Sequence, residues 1–256
     1  MLSTLNLSFQ IVKRNWWVYR KDFVANVSPT VTDPIFFLIF LGLGLGSMVQ
    51  EMNGHSYLDF LGPGLVVLTA LYTAFFETSY GFYVRMVFES VFKAMLTTPI
   101  GVNEIILGEY IWISLKGALM VIAVSAVWAC LGLVHNYALF MLLPIVGVLV
   151  AVSCGSMGLI ASALVKNINQ FQSVYSFLIS PLTFMSGVFY PVSSMPHGAQ
   201  IVAKVLPLYH AVEMTRAIFW DENVLEKFVF HGAILTLYSA ALAAIAYKLL
   251  RAKLET

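Results

Sequence analysis

Arg85 to Tyr110 reads RMVFESVFKAMLTTPIGVNEIILGEY, a polar interruption between two long apolar runs. Inside it Val87, Phe88, Val91, Phe92, Met95 and Leu96 recur at i, i+1, i+4, i+5, i+8 and i+9, a spacing that gathers them into one helical stripe. Glu89 and Lys93 stand four apart on the opposite face in the favourable order. Thr97, Thr98 and Pro99 end the helix, because the residue before a proline is pushed out of the α region. The spacing predicts an amphipathic helix of about three turns held between two membrane spans. Such a helix lies on a lipid surface or presses its stripe into a groove of a partner protein.

Composition sets the class. Of 256 residues, 60% are hydrophobic and 11% charged, with mean hydropathy +0.85. A soluble surface needs roughly 25% charged residues, so the chain reads as an all-α integral membrane protein. The net charge of +1 is uninformative, and no basic patch away from the membrane-flanking segments is large enough to neutralise a row of phosphates, so no nucleic-acid partner is expected. Cys130 and Cys154 both fall in apolar runs and are expected to be small buried hydrophobes without a disulfide. The first thirty residues lack the pattern of a cleavable signal, so the first apolar span is expected to serve as the insertion signal.

Leu2, Leu5, Phe9, Val12, Trp16, Tyr19 and Phe23 draw one stripe along a helix, flanked by Lys13, Arg14, Arg20 and Lys21. With Trp16 and Trp17 beside it, residues 1–27 describe a helix lying among headgroups on the cytoplasmic side; a soluble partner-binding helix is the alternative. The first span is expected to start at Asp33-Pro34, as cap and first helical residue, and to run through IFFLIFLGLGLGSMV. Gly42, Gly44 and Gly46 lie inside that run, which favours close helix approach over a nucleotide fingerprint.

A second span is expected over Tyr57 to Val84, its outer end broken by Gly62-Pro63-Gly64, and a third over Ile111 to Leu133. Glu77 lies about eight residues and Lys116 about six from the same edge, nearly one depth at 1.5 Å per residue. An unpaired charge there costs a few kcal/mol, so Glu77 and Lys116 are expected to pair, with Glu109 or Asp33 as possible further members. After an outer turn at His135-Asn136, a fourth span over Tyr137 to Val165 carries the small-residue face Gly147, Ala151, Gly155, Gly158 and Ser162. The fifth, Phe171 to Gly187, is near the lower length limit and contains Pro181, so a kinked or incomplete crossing is expected.

Residues 188–223 are too apolar for a solvated loop and too interrupted by proline for a span, which predicts two short helices re-entering the outer leaflet. There Glu213 and Arg216 are spaced for a local salt bridge, and the pair His210 and Glu213 is too weak a signal to assign a metal. A sixth span runs from Phe228 to Leu250. Ten of the fourteen cations then lie on one side, giving six spans with both termini cytoplasmic.

The amphipathic N-terminal helix, the segment FESVFKAMLTTPIGVNEIILGE and the turn PLTFMSGVFYPVSSMP together resemble the ABC-2 type permeases of ABC exporters, most nearly the nodulation-factor export permeases. The resemblance covers nearly the whole chain, as a single transmembrane domain over residues 1–256. It implies a bacterial inner-membrane protein in which two permease copies, here a homodimer, work with two ATPase subunits that hold ATP and Mg. Residues 85–99 would be the coupling helix, with Phe88, Phe92, Met95 and Leu96 inserted in the ATPase and Glu89 and Lys93 orienting it. The first and fifth spans would line the path, making Phe36, Phe37, Phe40, Tyr175, Phe177 and Phe184 candidate lining residues; ordinary core or lipid-facing aromatics are the alternative. No G-x-x-x-x-G-K followed by Ser or Thr occurs, so this chain has no phosphate-cradling loop of its own and is not itself an enzyme. An apolar aromatic path suits an amphiphile: a lipid-linked saccharide, a glycolipid or a hydrophobic drug. An intramembrane enzyme lacks a nucleophile–base pair at matched depth, and a secondary transporter lacks an internal repeat. A permease-like subunit that transmits motion without cargo and, despite the missing repeat, a secondary transporter are the alternatives.

Overall fold

The structure, a computed structural model, describes residues 2–44, 46, 48, 51–52, 54–132 and 136–255, with the side chains of Leu2, Ser3, Pro29 and Leu43 outside that description. Among the described residues the regular structure is helical, apart from one isolated bridge between Met52 and His55. Helix α1 (Leu2–Lys21) leads into α2 (Phe23–Phe37), which continues through a π turn at Leu38–Gly44. Helix α3 (Tyr57–Phe76) continues through π turns at Glu77–Gly81 and Val84–Phe88, and α4 (Val91–Leu96) and α5 (Val102–Cys130) follow. After α6 (Tyr137–Phe140) and α7 (Leu143–Leu164), α8 (Gln170–Val174) passes through a π turn at Tyr175–Ile179 into α9 (Ser180–Met185). The chain closes with α10 (His197–Val205), α11 (Pro207–Trp220) and α12 (Val224–Leu254).

Five stretches of the described residues are long and apolar enough to cross a membrane: Phe23–Gly42, Tyr57–Phe88, Val102–Cys130, Tyr137–Leu164 and Val224–Leu254. The helical run over 170–185 spans only about 24 Å against ~30 Å of hydrocarbon, and is wound loosely just before Pro181.

Several boundaries differ from the sequence reading. The break between α1 and α2 falls at Asp22, whose backbone leaves the helical region, so α2 starts ten residues before the expected cap and holds Asp33 and Pro34 inside it. Helix α5 starts at Val102, where Glu104 Oε2 accepts from the Gly101 N–H at 3.0 Å, half of a capping box. The polar interruption read as far as Tyr110 therefore ends earlier, and Glu109 lies buried inside α5. Gly62-Pro63-Gly64 does not break α3. Pro63 cannot bond the Asp59 carbonyl, and the Trp220 indole N–H donates to that carbonyl instead at 3.3 Å. His135 lies outside the described residues; Asn136 beside it caps α6, its Oδ1 accepting from Ala138 N at 3.1 Å. Cys154 is buried, but Cys130 at the end of α5 is exposed, and both are free.

Helix α7 is the hub, packed against α3, α5 and α12. Its small residues divide between two neighbours. A Cβ at Gly117 of α5 would lie 2.5 Å from Ala151 Cβ and 3.0 Å from Gly147 O, so α5 crosses α7 nearly backbone to backbone. One at Gly158 would lie 2.9 Å from Phe75 O of α3, and nearby the Ser162 hydroxyl donates to Thr78 O at 2.7 Å. Lys253 on α12 closes the far end of α7, its ammonium donating to the carbonyls of Ser162, Ala163 and Val165 at 3.0–3.2 Å.

The expected stripe of α1 is split. Val12 and Tyr19 pack with Ser8, Ile11 and Asn15 against α5, whereas Leu5, Phe9 and Trp16 remain exposed on the outer side. Helices α10 and α11 form the two short helices expected in 188–223, and α11 is largely buried beside α3 and α12. Asp221 and Asn223, with φ of 54° and 46°, turn the chain from α11 into α12.

Gly158→Ala is expected to lower stability by about 1–3 kcal/mol, the usual cost of overpacking, while Gly198→Ala, with open space around its Cβ, leaves it unchanged. Thermal melting in detergent distinguishes the two.

Candidate functional site

Four charges meet where α3 loosens. Glu77 opens the first π turn of that helix and Arg85 lies in the second. Residues eight apart on an ideal α-helix are offset by roughly 80°, and the two π turns take up that offset. Glu77 Oε1 accepts from Arg85 Nη1 at 2.7 Å, and Glu77 Oε2 from the Lys116 ammonium at 2.6 Å. Arg85 Nη2 donates to Glu109 Oε2 at 2.7 Å, and Glu109 Oε1 accepts from Asn15 Nδ2 at 3.1 Å. Arg14 extends the chain, donating to Asn15 Oδ1 at 3.0 Å. Lys116 also stands 4.9 Å over the Tyr19 ring.

The cluster ties α1, α3 and α5 together, and its two acids and two bases cancel. Depth singles out Glu77 and Lys116, with Glu109 or Asp33 as further members; Glu109 joins through Arg85, Asp33 makes no ion pair with the cluster, and the sequence places Arg85 among the cytoplasmic cations. Its partners were hidden because the i, i+8 relation is a pairing only after the π turns rewind the helix.

Beside the cluster lies a cavity of about 580 Å³ between α2, α3 and the π turn at Tyr175, its wall including Asp33, Phe37, Tyr72, Glu77, Lys116 and Tyr175. A second, more apolar space of about 570 Å³ shares Phe37, Tyr72 and Tyr175 with it and adds Phe184, Phe189 and Tyr190. The two form an inner chamber with a charged floor and an outer one with aromatic walls, meeting at three rings. Tyr72 reaches from that junction to within 3.4 Å of the Thr183 hydroxyl. Of the six expected lining residues, Phe37 and Tyr175 face both chambers and Phe184 the outer one. Phe36, Phe40 and Phe177 line neither and are exposed on the outside of this chain, Phe177 to 85%.

At the α4 end the expected single helix is two. Ser90 is left-handed, with φ of 52°, and separates the last turn of α3 from α4. The stripe therefore breaks: Phe88 is 65% exposed, but Phe92 is 1% exposed and packs 4.7 Å from the Phe82 ring inside this chain's own core. Met95 and Leu96 lie half-buried against the same core, while Glu89 and Lys93 are exposed. Phe92 thus anchors the tip from within, and the outward face is Val87, Phe88, Glu89 and Lys93.

At the opposite end His210 Nδ1 and His231 Nδ1 are 2.8 Å apart, one ring donating to the other, and burial, then the neighbouring His231, holds His210 below the usual histidine range. Arg216, buried 4.0 Å over the Phe60 ring, pairs with Glu213 at 3.1 Å. Among the described residues no three His, Cys, Asp or Glu side chains group as metal ligands.

Residues 7–220 match the family described as ABC-2 type transporter. The chain belongs to that family. It is 31% identical over 242 residues to nodulation protein J of Rhizobium leguminosarum bv. viciae, covering 94% of this chain and 93% of that protein. Nodulation protein J of Bradyrhizobium diazoefficiens is 30% identical over 93% of this chain and 92% of its own length. The inner membrane transport permease YadH of Escherichia coli K12 is 28% identical over 77% of this chain and 76% of its own length. The chain is therefore an ABC-2 permease, a multi-pass membrane transport protein, and the ionic cluster and chambers are features of its membrane domain.

Arg85→Met is expected to destabilise the chain by about 3–5 kcal/mol, because it strands Glu109 as an uncompensated buried charge. Arg85→Met combined with Glu109→Met removes both charges and leaves Glu77 with Lys116, so most of the loss returns. Melting of the single and double variants measures the difference.

Proposed function

We propose that this ABC-2 permease is the transmembrane subunit of an ATP-driven exporter that moves an amphiphile out of the cytoplasm or inner leaflet. The cargo class is a lipid-linked saccharide, a glycolipid or a hydrophobic drug. Two copies of the chain, as a homodimer, work with two copies of a separate ATPase, which binds the ATP and Mg. The helix over 170–185 serves as a short fifth crossing of six, and both termini and the α4 tip face the cytoplasm of a bacterium, in its inner membrane. Nine of the fourteen cations favour that orientation even with Arg85 set aside as buried.

One observation carries the reading: an exposed apolar tip at Val87 and Phe88, ringed by Glu89 and Lys93, is joined by Arg85 to the charged floor of the inner chamber. Force applied to the tip by a partner acts on the last turn of α3, and the ion pairs carry it to α5 and the chamber wall. A charged–apolar tip of this kind suits a groove on a protein. The paired chambers, polar within and aromatic without, suit a molecule with a polar head and an apolar body.

Phe88→Asp is expected to leave the fold intact, because the ring is exposed, and to weaken association with the co-purifying ATPase by about tenfold or more, since a buried phenylalanine is worth ~1.5–3 kcal/mol. Phe92→Ala acts instead on stability, by about 3–5 kcal/mol. Complex yield and stimulated ATP hydrolysis read the first, and melting reads the second. Undiminished coupling in Phe88→Asp refutes the assignment of the tip.

A further inference from the structure

Asp33 is the charge in the inner chamber that the ionic cluster does not use. It sits midway along the apolar stretch Phe23–Gly42 and shares the chamber wall with Glu77 and Lys116. Both oxygens of Glu77 are taken, one by Arg85 and one by Lys116, so those two wall charges cancel each other. Among the described residues Asp33 has no cation within ion-pair distance, and the wall carries one net negative charge. Asp33 is exposed on the single chain, so what makes its charge costly is its place midway along an apolar membrane stretch, where a carboxylate without a counter-charge marks a ligand or ion path.

The rest of the wall says which counter-charge fits. Phe76 stacks on Tyr175 with centroids 5.9 Å apart and on Tyr72 at 6.2 Å, giving a continuous aromatic surface across the chamber from α3 to the π turn. Ring faces are negative and attract cations, most strongly bulky organic ones that shed water easily. A compact hydrated metal ion would need several oxygen ligands, and among the described residues no cluster of three His, Cys, Asp or Glu side chains forms around Asp33. An anionic head would meet Asp33 with Lys116 already engaged. The volume, about 580 Å³, is in the range of drug-sized ligands.

We infer that the inner chamber binds an organic cation, a protonated amine or quaternary centre on an apolar body, with Asp33 as its counter-charge and the Tyr72–Phe76–Tyr175 surface as its wall. The inference rests on the reading of this chamber as part of the export path, and it narrows the cargo by charge: cationic amphiphiles are admitted and anionic ones turned away.

Tetraphenylphosphonium and tetraphenylborate are matched probes, nearly equal in size and opposite in charge. In equilibrium dialysis against the purified full-length chain in nonionic detergent, with empty micelles subtracted, the phosphonium is expected to bind saturably and at least about tenfold more tightly than the borate, ~1.4 kcal/mol. Asp33→Asn removes the preference and Asp33→Glu keeps most of it. Equal binding of the two ions, no saturable phosphonium binding, or a preference that survives Asp33→Asn overturns the inference, and the first two readouts need no variant to fold. If Phe88→Asp leaves ATPase coupling intact while the charge preference stands, the export reading fails and the cation site remains. If coupling is lost as expected but the preference is absent, the cation site alone fails.

Discussion

Glu77, Arg85, Glu109 and Lys116 are each too costly to place alone in hydrocarbon, and closing them into one neutral cluster is the condition under which α1, α3 and α5 pack as they do. The pairing fixes register. Arg85 can reach both acids only if α3 is rewound, so the π turns at Glu77–Gly81 and Val84–Phe88 are the geometric counterpart of the ion pairs. Asn15 then draws α1 onto α5, which turns Val12 and Tyr19 inward and leaves Phe9 and Trp16 facing out.

The same helix carries both surfaces to which the proposal assigns a function. Its middle forms the floor of the inner chamber, and its end forms the exposed tip at Val87 and Phe88. Ser90 breaks the chain there in a left-handed turn, and α4 folds back so that Phe92 fills a core pocket beside Phe82. The tip is thus pinned to α3 from within by Phe92 and from behind by Arg85. Opposite it, the close approaches at Gly117 and Gly158 hold α7 firmly to α5 and α3, while α2 and the run over 170–185 border the chambers with less of their surface buried. A rigid wall facing a looser one is an arrangement in which a small displacement changes the size of the space between them.

Much of this was legible in the residues. Hydropathy and the spacing of apolar side chains located the long helices, because in an apolar medium the backbone must satisfy itself locally and the helix is the local solution. Matched depth brought Glu77 and Lys116 to attention, and the prolines of 188–223 separated two short helices from a crossing. The starts of α2 and α5 are misplaced in the sequence because Asp33-Pro34 has the form of a helix cap and first residue and because Glu109 continues a polar stretch, whereas the structure holds both inside helices, Asp33 at a cavity and Glu109 against a buried partner. Phe92 was assigned outward because periodicity places side chains on a stripe without saying which way the stripe faces.

The amino-acid sequence by itself determined that the chain is a bundle of membrane helices, where most of them lie, and that a polar, amphipathic interruption falls between two of them; these follow from local backbone chemistry and from hydrophobic period. Only the tertiary structure decided that Arg85 is an interior charge, that the stripe of 85–99 divides at Ser90, and that Asp33 borders a chamber with no counter-ion among the described residues. Those outcomes depend on which distant groups converge, on Glu109 meeting Arg85 across 24 positions and Lys116 meeting Glu77 across 39, and such long-range electrostatic choices leave no periodic trace in the order of residues.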